Sequence, residues 1–293
     1  MAVLRSWSVA RVRERSEASR LFTRGCAIFP STLPEPQGRR AMSGVWEAGF
    51  WGLVGGSALI LGAAIAWFAT LPQRLIASIM AIGAGVLISA VAFDLMDEAF
   101  HQGGFDSTAT GFLGGAVIYT AANIIVSRRG AKHRKRSGSN PQESQPDARS
   151  DSGAGIAIGA LLDGIPESVV IGVSLLSGAG VSAVTVAAVF LSNVPEGLSS
   201  AAGMKAAGRS PAYVFGVWGG IAVASAIAAM VGNVALAGSS PDLIAGVTAV
   251  AAGAILAMLV DTMIPEATEA THDYSGLIAV IGFLIAFVLT KSD

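Results

Sequence analysis

Charge is scarce in this chain. Lys, Arg, Asp and Glu make up 13% of its 293 residues, against about 25% in an ordinary soluble domain. Cysteine is almost missing: Cys26 stands alone, which excludes an intrachain disulfide and a cysteine-built metal cluster. Histidine is nearly as rare, and none of His101, His133 and His272 lies in an apolar run. Aromatic residues supply only 7%. The net charge of −1 says little, because the distribution of charge matters more than its sum. No nucleic-acid partner is expected.

What is abundant is apolar and small. Hydrophobic residues reach 53% with 36 glycines, and the mean hydropathy is +0.62. These values place the chain among membrane proteins. Small residues let helices approach closely in lipid, where no water-driven hydrophobic effect operates between them. Apolar runs long enough to cross the hydrocarbon core lie near 48–70, 75–97, 109–127, 154–177, 180–203, 212–236, 242–263 and 274–290. The fold class expected is therefore all-α, a polytopic membrane bundle of about eight transmembrane helices, since lipid-facing backbone must satisfy its own hydrogen bonds.

The chain divides into four segments. Residues 1–43 carry eight Arg and no spanning run, and read as a disordered or mis-assigned extension with Met42 as an alternative start. Residues 44–127 hold helices 1 to 3. Residues 128–152 form a flexible basic loop containing Arg128, Arg129, Lys132, Arg134, Lys135, Arg136 and Arg149. Residues 153–293 hold helices 4 to 8. The positive-inside rule puts the basic loop in the cytoplasm together with Arg74, Lys205 and Arg209, leaving Lys291 outside. Both termini then face outward.

A weak internal symmetry accompanies this topology. The second span reads GAGVLISAVAFDLMDEAF and the seventh AAGAILAMLVDTMIPEATEA. Each runs from small residues to an Asp (Asp94, Asp261) and then to an acidic turn. The two cross in opposite directions, as inverted repeats in secondary transporters do.

The chemistry concentrates in two apolar stretches. Asp163, Pro166 and Glu167 lie in GALLDGIPESVVIG, and Ser192, Asn193, Pro195 and Glu196 lie in VFLSNVPEGLSSA. A charge in hydrocarbon costs at least about 3 kcal/mol, so such residues usually mark an ion or proton path. Asp163 and Glu167 are four apart and share a helical face, as do Ser192 and Glu196. Each proline removes a backbone donor and frees a carbonyl, near Leu162 and Leu191. Carboxylates, an amide, a hydroxyl and bare carbonyls form a hard, oxygen-rich ligand set, suited to Mg, Mn or Fe(II). A protonated, hydrogen-bonded structural carboxyl is the competing reading. Asp94, Asp97 and Glu98, with His101 and Asp106 nearby, make either an acidic outer mouth or a solvated loop. Asp261, Glu266 and Glu269, with His272, make either an inner exit or a solvated helix end.

The Pro-Glu pairs on adjacent spans resemble the ZIP family of divalent metal transporters. The resemblance implies eight helices, a cytoplasmic loop after the third, outward termini and a metal site on the fourth and fifth. The family's fourth-helix His-Asn-x-Pro-Glu-Gly aligns with Asp163-Gly164-Ile165-Pro166-Glu167-Ser168, and its fifth-helix run with Ser192-Asn193-Val194-Pro195-Glu196-Gly197. Asp163 stands where the family has His, Gly164 where it has Asn, and Ser192 where it has His or Gln. The sixth span lacks the acidic residue that some members carry. These departures favour one ion over two and weaken zinc preference. The metal ligands expected are Asp163, Glu167, Ser192, Asn193 and Glu196.

The function expected is import of a divalent cation of the zinc, iron or manganese class across the plasma membrane, with no enzymatic activity and no prosthetic group. The expected partners are the cation and the lipid bilayer, with a homodimer left open. A proton-coupled carrier of an organic solute and a transport-inactive metal-binding homologue are the alternatives. A membrane aspartyl protease is more distant, since its Gly-x-Gly-Asp pattern is absent.

Overall fold

A computed structural model describes residues 37–128, 152–177 and 183–292. Contacts divide the chain into two units, Met1–Met42 and Ser43–Asp293. Most of the expected extension 1–43 and of the basic loop 128–152 lies outside the described residues. The long apolar helical stretches all belong to the second unit.

The described residues are helical apart from short connections at 69–72, 207–210 and 237–240, with no strand among them. In chain order the helices are α1 (Gln37–Phe68), α2 (Gln73–Ala90), α3 (Met96–Val126), α4 (Ser152–Ser174), α5 (Ala183–Ala206), α6 (Pro211–Leu236), α7 (Pro241–Met258), α8 (Ile264–Thr271) and α9 (Ser275–Ser292). Among the described residues, five helical stretches are long and apolar enough to cross a membrane: Gly44–Phe68, Gln73–Val126, Pro211–Leu236, Pro241–Glu269 and His272–Lys291. The chain is thus a multi-pass helical membrane protein. The expected spans 75–97 and 109–127 fall within one helical stretch, Gln73–Val126, interrupted at Gly104 (φ 69°). The acidic segment read as mouth or loop is consequently helical over Met96–Gly103.

Local chemistry fixes the helix ends. Ser210 and Ser240 cap α6 and α7, their hydroxyls accepting from the amides of Tyr213 and Leu243 at 3.3 Å. Each is followed by a proline at the first helical position, where no donor is lost. After α5, Gly208 (φ 74°) allows the Arg209 amide to reach back to the Met204 carbonyl at 3.0 Å, the paired closure typical of a left-handed helix end.

Glycine governs the packing in two helix pairs. A methyl group on Gly115 of α3 would strike the Val250 carbonyl of α7, and one on Gly253 of α7 would strike the Phe112 carbonyl of α3. The pair α2 and α9 repeats the arrangement, with Gly85 against Ala279 and Gly282 against Ile82. Backbones meet directly at these points, which only residues without a Cβ permit. Two five-residue π-helical turns, Val91–Leu95 and Leu259–Met263, terminate α2 and α7.

Elsewhere α5 lies against α1, with Gly197 on Leu59 and Gly62 on Val194, and α4 lies against α6, with Gly172 on Ala229. Large apolar side chains such as Leu113, Val117, Val231 and Val288 are exposed, an outward face suited to lipid rather than water.

Candidate metal centre

The two proline-bearing helices bring the five expected ligands into the interior. Asp163 and Glu167 on α4 are each 1% exposed, and on α5 Ser192 is 0%, Asn193 4% and Glu196 4% exposed. Both carboxylate oxygens of Glu167 are buried. Burial of three carboxylates is expensive unless hydrogen bonds or a cation offset it. No Lys, Arg or His occurs between residues 150 and 204, so neither helix carries its own counter-charge in this stretch.

Proline shapes both helices without ending them: α4 runs through Pro166 and α5 through Pro195. The missing proline amides leave the Leu162 and Leu191 carbonyls without their helical partners. Pro195 is also seated by packing, because Gly83 of α2 leaves only 2.8 Å between a would-be methyl group and the Pro195 ring. A side chain at position 83 would push the kink, and with it Glu196, away from α2.

Three polar side chains are oriented by neighbours. Tyr119 of α3 donates its hydroxyl to Asp163 Oδ1 at 2.7 Å. Asn193 donates its amide to the Gly55 carbonyl of α1 at 3.0 Å, which turns the Asn193 carbonyl oxygen toward the opposite side. Ser192 donates to the Val189 carbonyl at 2.9 Å, so its hydroxyl oxygen can act on a ligand only through its lone pairs.

Buried hydroxyls extend this polar face along α5. Ser199 is fully buried and donates to Glu266 Oε1 of α8 at 3.3 Å. Ser200, one turn after Glu196, is 1% exposed, and its hydroxyl is buried without a hydrogen-bond partner. The stripe Ser192, Asn193, Glu196, Ser199 and Ser200 follows helical periodicity and ends at a carboxylate that the sequence placed near the inner end of the seventh span.

The two flanking acidic groups differ from the centre. Asp94, in the first π-helical turn, accepts from Thr185 of α5 at 2.7 Å, and Glu98 accepts from Gln102 at 2.9 Å. Asp97 and His101 are well exposed and 3.6 Å apart. At the other flank Asp261, in the second π-helical turn, accepts from Asn123 of α3 at 3.3 Å. Asp261, Glu269 and His272 are exposed, while Glu266 is buried. Asp106 is exposed, and His133 lies outside the described residues.

Among the described residues no three His, Cys, Asp or Glu side chains converge closely enough to hold a metal ion. Any ion held between α4 and α5 must therefore draw on the Asn193 amide, serine hydroxyls, freed carbonyls or water besides the carboxylates. Such a set is all oxygen, which suits hard divalent cations.

Tyr119, Gly55, Ser199 and Ser200 are the supporting residues that motif reasoning passed over. Tyr119 carried a faint signal, being the one tyrosine in the middle of an expected span rather than at its edge. Gly55 and the two serines carried none, since their roles arise from contacts across helices. Comparison with protein-family models and with curated proteins finds no match.

Proposed function

We propose that this protein is a membrane transporter of the ZIP type that carries a divalent metal cation into the cytoplasm between α4 and α5. The observation that carries the reading is the burial of Asp163, Glu167 and Glu196 with Asn193 and Ser192 on two proline-kinked helices of a membrane bundle. Dehydrating a divalent ion is costly, and negative oxygen ligands already removed from water offset that cost without further reorganisation.

The reading includes eight crossings, with Ser152–Ser174 and Ala183–Ala206 as the fourth and fifth and with Gly104 separating the second from the third. It places the Arg128 end of α3 and the Lys205 end of α5 in the cytoplasm, and the protein in the plasma membrane. An inverted repeat relates the second and third crossings to the seventh and eighth. It is supported by a constant shift of 168 residues linking the π-helical turns (91 to 259), the packing glycines (85 to 253) and the carbonyls beneath their partners (82 to 250). The glycines of α3 and α9 (115 to 282) and the carbonyls 112 and 279 are shifted by 167. Asp94 and Asp261 differ by 167 as well, one residue out of step with the turns that hold them.

The lack of a three-carboxylate cluster among the described residues favours one alternative, a proton-coupled carrier of an organic solute in which Glu167 and Glu196 pass protons. Uptake of manganese, iron(II) and zinc by vesicles containing the purified protein separates the two. Ion-dependent, saturable uptake supports the metal reading, whereas proton flux without metal movement overturns it.

A further inference from the structure

The structure points to a specificity-determining residue outside the two proline-kinked helices. We propose that Tyr119 of α3 is a positioning residue that restricts Asp163 to one-oxygen coordination and so biases the site against large divalent cations such as calcium. The inference rests on the metal-transport reading and adds to it how that site discriminates.

The geometry is specific. The Tyr119 hydroxyl donates to Asp163 Oδ1 at 2.7 Å, linking residues on different helices. Both residues are 1% exposed, so water does not readily replace either partner. Tyr119 is held rigidly, since its ring belongs to an apolar cluster with Met80, Leu87, Ile255, Met258 and Val170. Two helices fix that cluster from behind, because α3 and α7 meet backbone to backbone at Gly115 and Gly253. The phenol is therefore a fixed donor, and the oxygen it addresses is the one facing α3. A short O–H bond to an ionised acceptor is among the stronger hydrogen bonds a protein makes.

A carboxylate whose Oδ1 is engaged in this way offers an ion chiefly Oδ2. Calcium takes 6–8 oxygen ligands, in part through carboxylates that bind with both oxygens, whereas magnesium-sized ions accept fewer ligands at shorter distances. Withholding one oxygen at position 163 thus penalises the larger ion more. Asn123, one helical turn beyond Tyr119, donates to Asp261 at 3.3 Å. The same face of α3 therefore presents a second donor to a second carboxylate, which fits a helix that orients acidic groups rather than neutralising them.

The test is Tyr119→Phe in purified protein reconstituted into vesicles of neutral phospholipid, with calcium competing against manganese uptake. Loss of the hydroxyl should strengthen calcium inhibition relative to wild type by about tenfold, the scale of one hydrogen bond to a charged group, with a smaller change in the manganese KM. Combining it with Asp163→Asn should give no further change in the calcium-to-manganese ratio, because the two act through one bond. An unchanged ratio, or a uniform fall in uptake of both ions, would overturn the proposal and leave Tyr119 a packing residue. Should Tyr119→Phe not fold, the wild-type protein supplies the second measurement: infrared difference spectra with isotope-labelled tyrosine, recorded on adding manganese. Retention of the hydrogen-bonded phenol band supports the proposal, and its loss overturns it. Wild-type vesicles that bind and move no metal at all would instead reject the transport reading itself, and the proposal with it.

Discussion

Two kinds of interrupted helix lie side by side in this bundle. In α4 and α5 the interruption is a proline, and the residues beside it are buried carboxylates. At the ends of α2 and α7 it is a π-helical turn, and the carboxylates there, Asp94 and Asp261, are half-buried and exposed. Proline removes a donor and leaves a carbonyl bare, which adds a ligand in a region without water. A π-helical turn keeps backbone bonding and re-aims side chains by inserting one residue, a device common at functional sites. The first kind suits holding an ion; the second suits presenting a carboxylate near a boundary.

The largest expected effect tests what both kinds depend on, the glycine-packed frame. Gly253→Leu would drive a side chain into the Phe112 carbonyl, and overpacking of this sort costs about 3 kcal/mol or more. Little folded protein should be recovered in the membrane. Gly216→Ala, where nothing lies within 4 Å, should be neutral or slightly stabilising by comparison. Thermal unfolding in detergent compares the two, and equal stability would remove the frame from the account.

Next in size is proline itself. Pro166→Ala and Pro195→Ala restore a donor to the Leu162 and Leu191 carbonyls and should lower metal uptake by about tenfold while stabilising the helices. Comparable uptake in both variants and wild type would make the prolines simple kinks. Asn193→Ala ranks third, because it removes both a candidate ligand and the bond to the Gly55 carbonyl. An unmet buried group costs about 1–3 kcal/mol, so lower thermal stability should accompany a raised KM, and an unchanged KM would take Asn193 out of the site.

Metal ranking probes the centre more finely. Asp163→His introduces a softer ligand and should move preference toward zinc by about tenfold in competition assays, which compare equilibrium affinities directly. An unchanged order would show that position 163 does not touch the ion. The smallest effect is expected at the π-helical turn, where Thr185→Val removes one bond to Asp94. That bond is worth about 1 kcal/mol, and a modest KM increase without loss of maximal rate should result.

The contrast between the two kinds of break also accounts for what could be read beforehand. Pro166 and Pro195 announce themselves, because a proline beside a Glu is rare within an apolar run of spanning length. The five candidate ligands near them, Asp163, Glu167, Ser192, Asn193 and Glu196, are buried. The π-helical turns have no residue signature, and VAFDL and LVDTM read as ordinary helix. The helix over Met96–Gly103 was missed for a related reason: Asp97, Glu98, His101 and Gln102 look like a solvated loop, yet charged side chains stabilise a helix just as well. Tyr119 was invisible as a partner of Asp163, because 44 residues separate them and only the packing of α3 brings the phenol there. The count of apolar runs pointed to the helical bundle, since segments of spanning length admit little else.

The central claim is that the charge of Glu167 and Glu196, and not their volume, serves ion binding. Glutamine keeps the shape and the hydrogen-bonding capacity of glutamate and removes the charge. Metal uptake into vesicles by Glu167→Gln and Glu196→Gln, each at wild-type levels of folded protein, tests this directly. The account predicts a fall of at least about 100-fold in each, equivalent to about 2.7 kcal/mol, with thermal stability retained. Uptake near the wild-type rate in both variants would contradict it and mark the two carboxyls as structural.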